Sequence, residues 1–323
     1  MEFFNNTSFH TLIHRTALEN DIIAMSLMCR ITYDVDADGI ATISETQDWG
    51  LYQDYWQNEY GPMDKDDVFK RGGIDLLLFG SAKAPKGKSV TESSVSIAIN
   101  HHVIHQVKIF GDRVWKSFLG SLSISSPKPF TEIPLTMYNA FGGYYNWDGI
   151  DIPYPNNPHG KGYYHEKKEA IGKSLPNIEH YDNPIRKWNS WQDPAGVTSL
   201  SVLPLKAKNN LVLNSDKNKI EKLNPKFFNS AFPKMIVDKI NAGDVITITG
   251  VTGNDPYIFQ VPNTVLEVAI VLGDKNIKEK MKIDQIGLIP DKQQAFVSYR
   301  IPFKYVVRPM EKREIKLTFS SLT

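Results

Sequence analysis

Ser93-Ser-Val-Ser-Ile-Ala-Ile-Asn100 alternates apolar and polar side chains, and its reading decides the fold class. A period of two places Val95, Ile97 and Ile99 on one face, the signature of a half-buried strand. His102-Val-Ile-His-Gln-Val-Lys-Ile-Phe110 continues in the same style until Gly111-Asp-Arg stops it. Upstream, Ile74 to Ala82 reads as a buried strand, Ile22 to Tyr33 is apolar and long enough for another, and Thr11 to Leu18 opens one more. Asp34-Val-Asp-Ala-Asp-Gly39 is turn chemistry, and it joins Ile22–Tyr33 to the alternating Ile40-Ala-Thr-Ile-Ser44 as a hairpin. Downstream, Val197–Leu205, Val245–Val251, Thr264–Leu272, Gln285–Asp291, Gln294–Lys304 and Lys312–Ser320 read as strands. This spacing predicts an all-β or β-rich fold, an antiparallel sandwich-like core with few short helices.

Helical signal is confined to Asp48–Glu59 and Asn229–Asn241. The second carries Phe232, Met235, Ile236 and Ile240 as a helical stripe. Lys206–Lys226, rich in lysine and asparagine, reads as a flexible connection. The chain divides into a β-rich N-terminal half (1–125), an irregular ordered region (126–195) and a β-rich C-terminal half (196–323); one continuous domain is an open alternative.

At 323 residues, 41% hydrophobic and 23% charged, the chain can bury a sizeable core. Its 37 basic and 36 acidic residues give a net charge of +1. Nucleic-acid and membrane-surface partners need a basic excess, so neither is expected. No apolar run reaches the roughly 18–20 residues of a membrane span, and the N-terminus carries no signal-peptide pattern. The expected location is the cytoplasm. The single cysteine, Cys29, excludes an internal disulfide and reads as a small buried residue.

Residues 126–187 are crowded with Pro, Gly, Asn and aromatics and lack clear periodicity. Disordered segments are poor in aromatics, so this region is expected to be ordered and irregular, and suited to gripping another protein. Candidate contact residues are Tyr138, Phe141, Tyr144, Tyr145, Trp147, Tyr163, Tyr164, Trp188 and Trp191. Phe141, beside Gly142-Gly143, reads as core; Tyr144, Tyr145 and Trp147 read as the exposed members.

Other constellations are weaker. His101, His102 and His105 have no Glu at metalloprotease spacing, and on a strand His101 and His105 lie about 13 Å apart. His159, His165 and His180 match no known ligand spacing. Asp34, Asp36, Asp38 and Glu45, with Gly39 at position six, satisfy a calcium-loop pattern in letters. The flanks are strands rather than helices, so a hairpin turn is the preferred reading and no cofactor is expected.

Six motifs in order resemble one family, the domain of unknown function 2169. They are Phe110-Gly-Asp-Arg-Val-Trp115, Pro129 to Leu135, Tyr138-Asn-Ala-Phe-Gly-Gly143, Asn157-Pro-His-Gly-Lys-Gly162, Leu175-Pro-Asn-Ile-Glu179 and Asp193-Pro-Ala-Gly196, and they follow Asp75 to Lys88, which is similar as well. The Ala24–Gly39 segment is similar to the family's early strand and turn. The resemblance implies an adaptor or chaperone of the bacterial type VI secretion system. Its partners would be a secreted effector or a spike-tip (PAAR-like) protein, and the spike trimer. The chain departs from the family over Ser199–Asn224, where a Trp, an Arg and a Gly-Thr-Tyr-Asp stretch are missing. Two rival readings are a carbohydrate-binding sandwich, with exposed rings stacking on sugars, and a hydrolase using Glu132 or Glu179.

Overall fold

The computed structural model describes residues 1–321. Strand accounts for 48% of it and helix for 8%, so the fold is β-rich. Its centre is the strand Ile22–Val35, whose two faces are both buried but are chemically opposite. One face carries Ile23, Met25, Leu27, Cys29, Ile31, Tyr33 and Val35, all in the main apolar core. The other carries Ser26, Arg30 and Thr32, also buried.

This strand lies in a seven-stranded sheet ordered His10–Ala17, Ile22–Val35, Gln294–Val306, Lys282–Ile289, Ile74–Leu78 and Ile236–Val237, with Ala41–Ile43 added beside Ile22–Val35. Lys282–Ile289 and Ile74–Leu78 run parallel; the other pairs are antiparallel. Strands from both ends of the chain therefore alternate within one sheet. A five-stranded antiparallel sheet (Ile178–His180, His102–Phe110, Glu92–Ile99, Val245–Thr249, Tyr257–Gln260) and a four-stranded mixed sheet (Glu2–Asn5, Arg313–Ser321, Thr264–Leu272, Lys275–Lys280), in which Glu2–Asn5 runs parallel to its neighbour, complete the core. Val95, Ile97, Val107 and Ile109 from the first, and Leu266, Val268, Ile270 and Leu317 from the second, join the apolar face of the central strand.

The polar face is organised by register. Arg30, Ser298, Gln285 and Asp75 stand side by side on four adjacent strands. Arg30 Nε donates to Ser298 Oγ at 2.8 Å and Nη2 to Gln285 Oε1 at 2.8 Å. Gln285 Nε2 donates to Ser230 Oγ, which donates to Asp75 Oδ2 at 2.9 Å. Two covering segments close over this row. From the first, Asp66 accepts from Arg30 at 2.7 Å, and Arg71 reaches Asp75 at 3.0 Å and Asp284. Asp284 also lies 3.0 Å from Arg300. From the second, the Ser230 and Ala231 amides donate to Asp75, and Lys206 pairs with Asp64.

Four expectations are corrected by this arrangement. Asp48–Glu59 is not a helix but irregular chain ending in the strand Trp56–Asn58. Its Gly50 carbonyl accepts from Arg30, and the Tyr52 amide donates to Asp66. Asn229–Asn241 holds only the 3₁₀ turn Pro233–Met235 and the strand Ile236–Val237, because its first amides are held by Asp75. Val197–Leu205 is not a strand; its end opens the helix Leu203–Asn210. That helix, the hairpin Leu211–Leu213/Ile220–Leu223 and the turn Pro225–Phe228 occupy the stretch expected as a flexible connection.

Burial works to raise the Asp284 carboxyl, but the Arg300 and Arg71 guanidinium groups outweigh it and hold the group below its usual range. The sign follows: an acid depressed on folding stabilises above its unfolded value near 4 and loses that contribution as pH falls through the folded value. Asp284→Asn leaves two buried cations short of a partner and is expected to lower the unfolding free energy at pH 7 by about 3–5 kcal/mol. Urea titrations from pH 7 to pH 2 check this: the wild type loses stability below about pH 4, and the variant lacks the Asp284 part of that loss.

Candidate functional site

Residues 126–195 pack round a second, smaller apolar cluster made by Trp115, Phe141, Tyr163, Ala170, Leu175 and Ile185. Single buried polar side chains tie the region down. Asn157 is fully buried, and its Nδ2 donates to the carbonyls of Met137 at 2.9 Å and Phe141 at 3.0 Å. Its own carbonyl accepts from Gly143 at 2.8 Å. Gly142 has φ +149°, and a Cβ there would lie 2.1 Å from the Asn157 carbonyl oxygen; one at Gly160 would lie 2.4 Å from Asn157 Nδ2. The spacing of the Asn-Ala-Phe-Gly-Gly and Asn-Pro-His-Gly motifs is thus a packing requirement.

Asn177 does the same for the next motif. It exchanges main-chain hydrogen bonds with Phe110 and Asn139, and its Nδ2 donates to the Phe110 carbonyl at 2.8 Å. Glu179 accepts from Arg113 and from the Ile185 amide at 2.6 Å. The Arg113 guanidinium lies 3.8 Å from the centre of the Phe110 ring. Burial raises the Glu179 carboxyl above its ordinary value in spite of Arg113.

On this base stands a pile of rings. Tyr145 and Trp191 flank His165, at 4.1 and 4.7 Å between centroids. The Tyr163 hydroxyl bonds His165 Nε2 at 3.0 Å, and Tyr163 packs on Tyr154 and Trp191 at 4.9 and 5.2 Å. Above it rises the hairpin Tyr144–Trp147/Ile150–Pro153. Its turn residues, Asp148 at φ +50° and Gly149 at +81°, give the two left-handed positions that a two-residue hairpin favours. Tyr145, Trp147, Ile150 and Ile152 share one face. Tyr145 and Ile152 are half-buried, while Trp147 is 65% and Ile150 63% exposed. A Trp–Ile pair therefore projects beyond the ring pile.

The candidate residues separate accordingly. Tyr144, Trp147 and Trp191 are exposed, as is Tyr138. Tyr145 is half-buried against His165 rather than exposed, because it forms the base of the hairpin. Tyr163 is 8% exposed and presents no free face, since it fills the centre of the pile. Tyr164 donates to the Ser174 carbonyl, and Trp188 packs edge-on to Trp115; both are half-buried. Sequence reading missed Ile150, and it weighed His165 only as a metal ligand, not as part of the ring pile. The Asp148-Gly149 pair between alternating stretches was the available signal for the hairpin.

The remaining candidates are dispersed. His101 sits in the turn Asn100-His101 at φ +70°, whereas His105 is buried and bonds the Gly196 carbonyl at 2.9 Å. Asp36 Oδ1 accepts from the Asp38 and Ile40 amides, closing the turn into Ala41–Ile43, and Asp34 accepts from Gln294. Glu45 is exposed beyond that turn. Among the described residues, no three His, Cys, Asp or Glu side chains converge as a metal site requires. Glu132 is exposed, and Glu179 is held by Arg113. Cys29 is buried, with its thiol pushed up to about 12 by burial. No helix among the described residues is long and apolar enough to cross a membrane.

The fold and this site define a β-rich protein whose most prominent surface is an aromatic hairpin. Residues 23–300 match the family described as "uncharacterized protein conserved in bacteria" (DUF2169), and the chain belongs to that family. No curated protein and no solved structure matches it.

Asn157→Ala removes both side-chain donations; the Met137 carbonyl keeps the Ala140 amide, and the Phe141 carbonyl is left unsatisfied. The expected cost is about 1–3 kcal/mol per orphaned group at most. Amide hydrogen exchange is expected to accelerate over residues 138–162 while the central strand Ile22–Val35 keeps its protection.

Proposed function

We propose that this chain is a non-enzymatic cytoplasmic adaptor of bacterial type VI secretion. It binds a secreted effector, or the spike-tip domain that carries one, and delivers it to the secretion spike. The observation that carries the reading is the exposed Trp147–Ile150 pair on a hairpin held over packed rings. Buried aromatic anchors dominate interface energies, and a surface ordered before binding loses less entropy on association. The resemblance of six ordered motifs to the adaptor family supports the same reading. Those motifs bear glycines and buried amides that build a scaffold, and Glu179, offered by the hydrolase reading, is occupied by an arginine and an amide.

Co-purification from the native host tests this. A spike-tip or toxin-domain protein is expected to accompany the wild type. The double variant Trp147→Ala/Ile150→Ser is expected to lose at least about 30-fold in affinity, since one strong anchor is worth roughly 2 kcal/mol, with an unchanged melting temperature. Tight glycan binding on an array, together with no recovered protein partner, is the outcome that overturns the reading.

A further inference from the structure

The outermost long strand of the seven-stranded sheet is His10–Ala17. Just past its end, the Leu18 amide donates to the Ile22 carbonyl at 2.7 Å, which sets the parity of the ladder. Even-numbered residues point their main-chain groups at Ile22–Val35, and odd-numbered ones point outward. The main-chain groups of Thr11, Ile13, Arg15 and Ala17 thus face away from the sheet, and among the described residues they have no partner.

Exposed sheet edges attract foreign strands, and proteins protect them by shortness or by lysine. The other edges here follow that rule. Lys275–Lys280 has lysine at 275, 278 and 280; Glu2–Asn5, Ile178–His180, Tyr257–Gln260 and Ile236–Val237 have four residues or fewer. His10–Ala17 has eight residues, no lysine and no proline.

Beside this edge opens a cavity of about 520 Å³. His14, Thr16 and Leu18, alternate positions along the edge, line it together with Phe69, Leu203 and Phe228. Its cationic residues Lys65 and Lys304, and Arg15 on the strand, form no ion pair among the described residues; Asp64 and Asp67 are taken up by Lys206 and His14. A free edge beside a pocket for alternate side chains is the geometry of strand addition.

We propose that His10–Ala17 accepts an extended segment of a partner polypeptide as an added strand. Apolar side chains of that segment enter the cavity, and acidic ones, alternating with them on the opposite face, meet Arg15. Charge complementarity selects this occupant over a second copy of the chain, because His10–Ala17 carries no Asp or Glu to offer the Arg15 of another copy. The assignment is independent of the aromatic hairpin and stands or falls without the adaptor reading.

The test uses the full chain and two fluorescein-labelled heptapeptides, Glu-Leu-Glu-Val-Glu-Leu-Glu and its lysine counterpart. The acidic peptide is expected to bind saturably in fluorescence anisotropy, at least tenfold more tightly than the basic one. Arg15→Glu is expected to reverse the preference while the melting temperature holds. Amide exchange at Ile13 and Arg15 is expected to slow when the acidic peptide binds, and N-methylation of alternate peptide residues is expected to abolish binding. Equal affinity for the two peptides, binding without slowed exchange at those amides, or dimerisation of the chain that protects them without peptide overturns the proposal.

Discussion

The buried exchange of charge across the central sheet is the constraint on which the remaining architecture depends. Arg30, Arg71, Arg300 and Lys206 face Asp64, Asp66, Asp75 and Asp284, and each belongs to at least one pair. Buried ion pairs are poor sources of net stability, because desolvation consumes most of the attraction. Their effect here is positional. Each covering segment places ions and main-chain amides where only one docking satisfies the row formed by Arg30, Ser298, Gln285 and Asp75. An apolar cover would tolerate sliding; a charge left unpaired by a shift of one residue would not.

The same network explains which parts of the fold were legible in the sequence. Alternation at Ser93–Asn100 reports burial on one face, and the strand Glu92–Ile99 forms there, with Val95 and Ile97 in the core. The stripe Phe232, Met235 and Ile240 also reports burial correctly, since all three are buried, yet no helix forms. Periodicity records which side chains face inward, whereas a helix also needs its own amides and carbonyls. Ser230 and Ala231 give their amides to Asp75, and Gly50 gives its carbonyl to Arg30; both partners lie far off in sequence. Side chains that capture main-chain groups in this way compete directly with helix formation. No local window contains that information.

The region between the β-rich ends was legible as ordered but not in its details. Its aromatic content marked it as packed, and the small cluster round Trp115 and Phe141 accounts for that. Which ring faces outward depended on the Asp148-Gly149 turn, which puts Trp147 and Ile150 on the same face as Tyr145 and lifts them clear of it. Residue type alone put Tyr163 among the contact candidates and Tyr145 beside Trp147 as exposed; Tyr163 is central to the pile, Tyr145 is half-buried, and Trp147 is at the tip.

The motif residues and the surface residues have separate tasks. Asn157, Asn177 and Glu179 are buried and bond main-chain groups, so they act on the scaffold from inside the protein. They hold the loop still. Trp147 and Ile150 contribute little to that, because most of their area already faces solvent. A large exposed apolar pair costs solubility unless something covers it, and it is useful to a partner only if its position is fixed in advance. The buried asparagines supply that fixity. On this division, the packing demands of the scaffold fall on Asn157, Asn177, Glu179 and the glycines beside them, while Trp147 and Ile150 at the tip of the hairpin carry none of them.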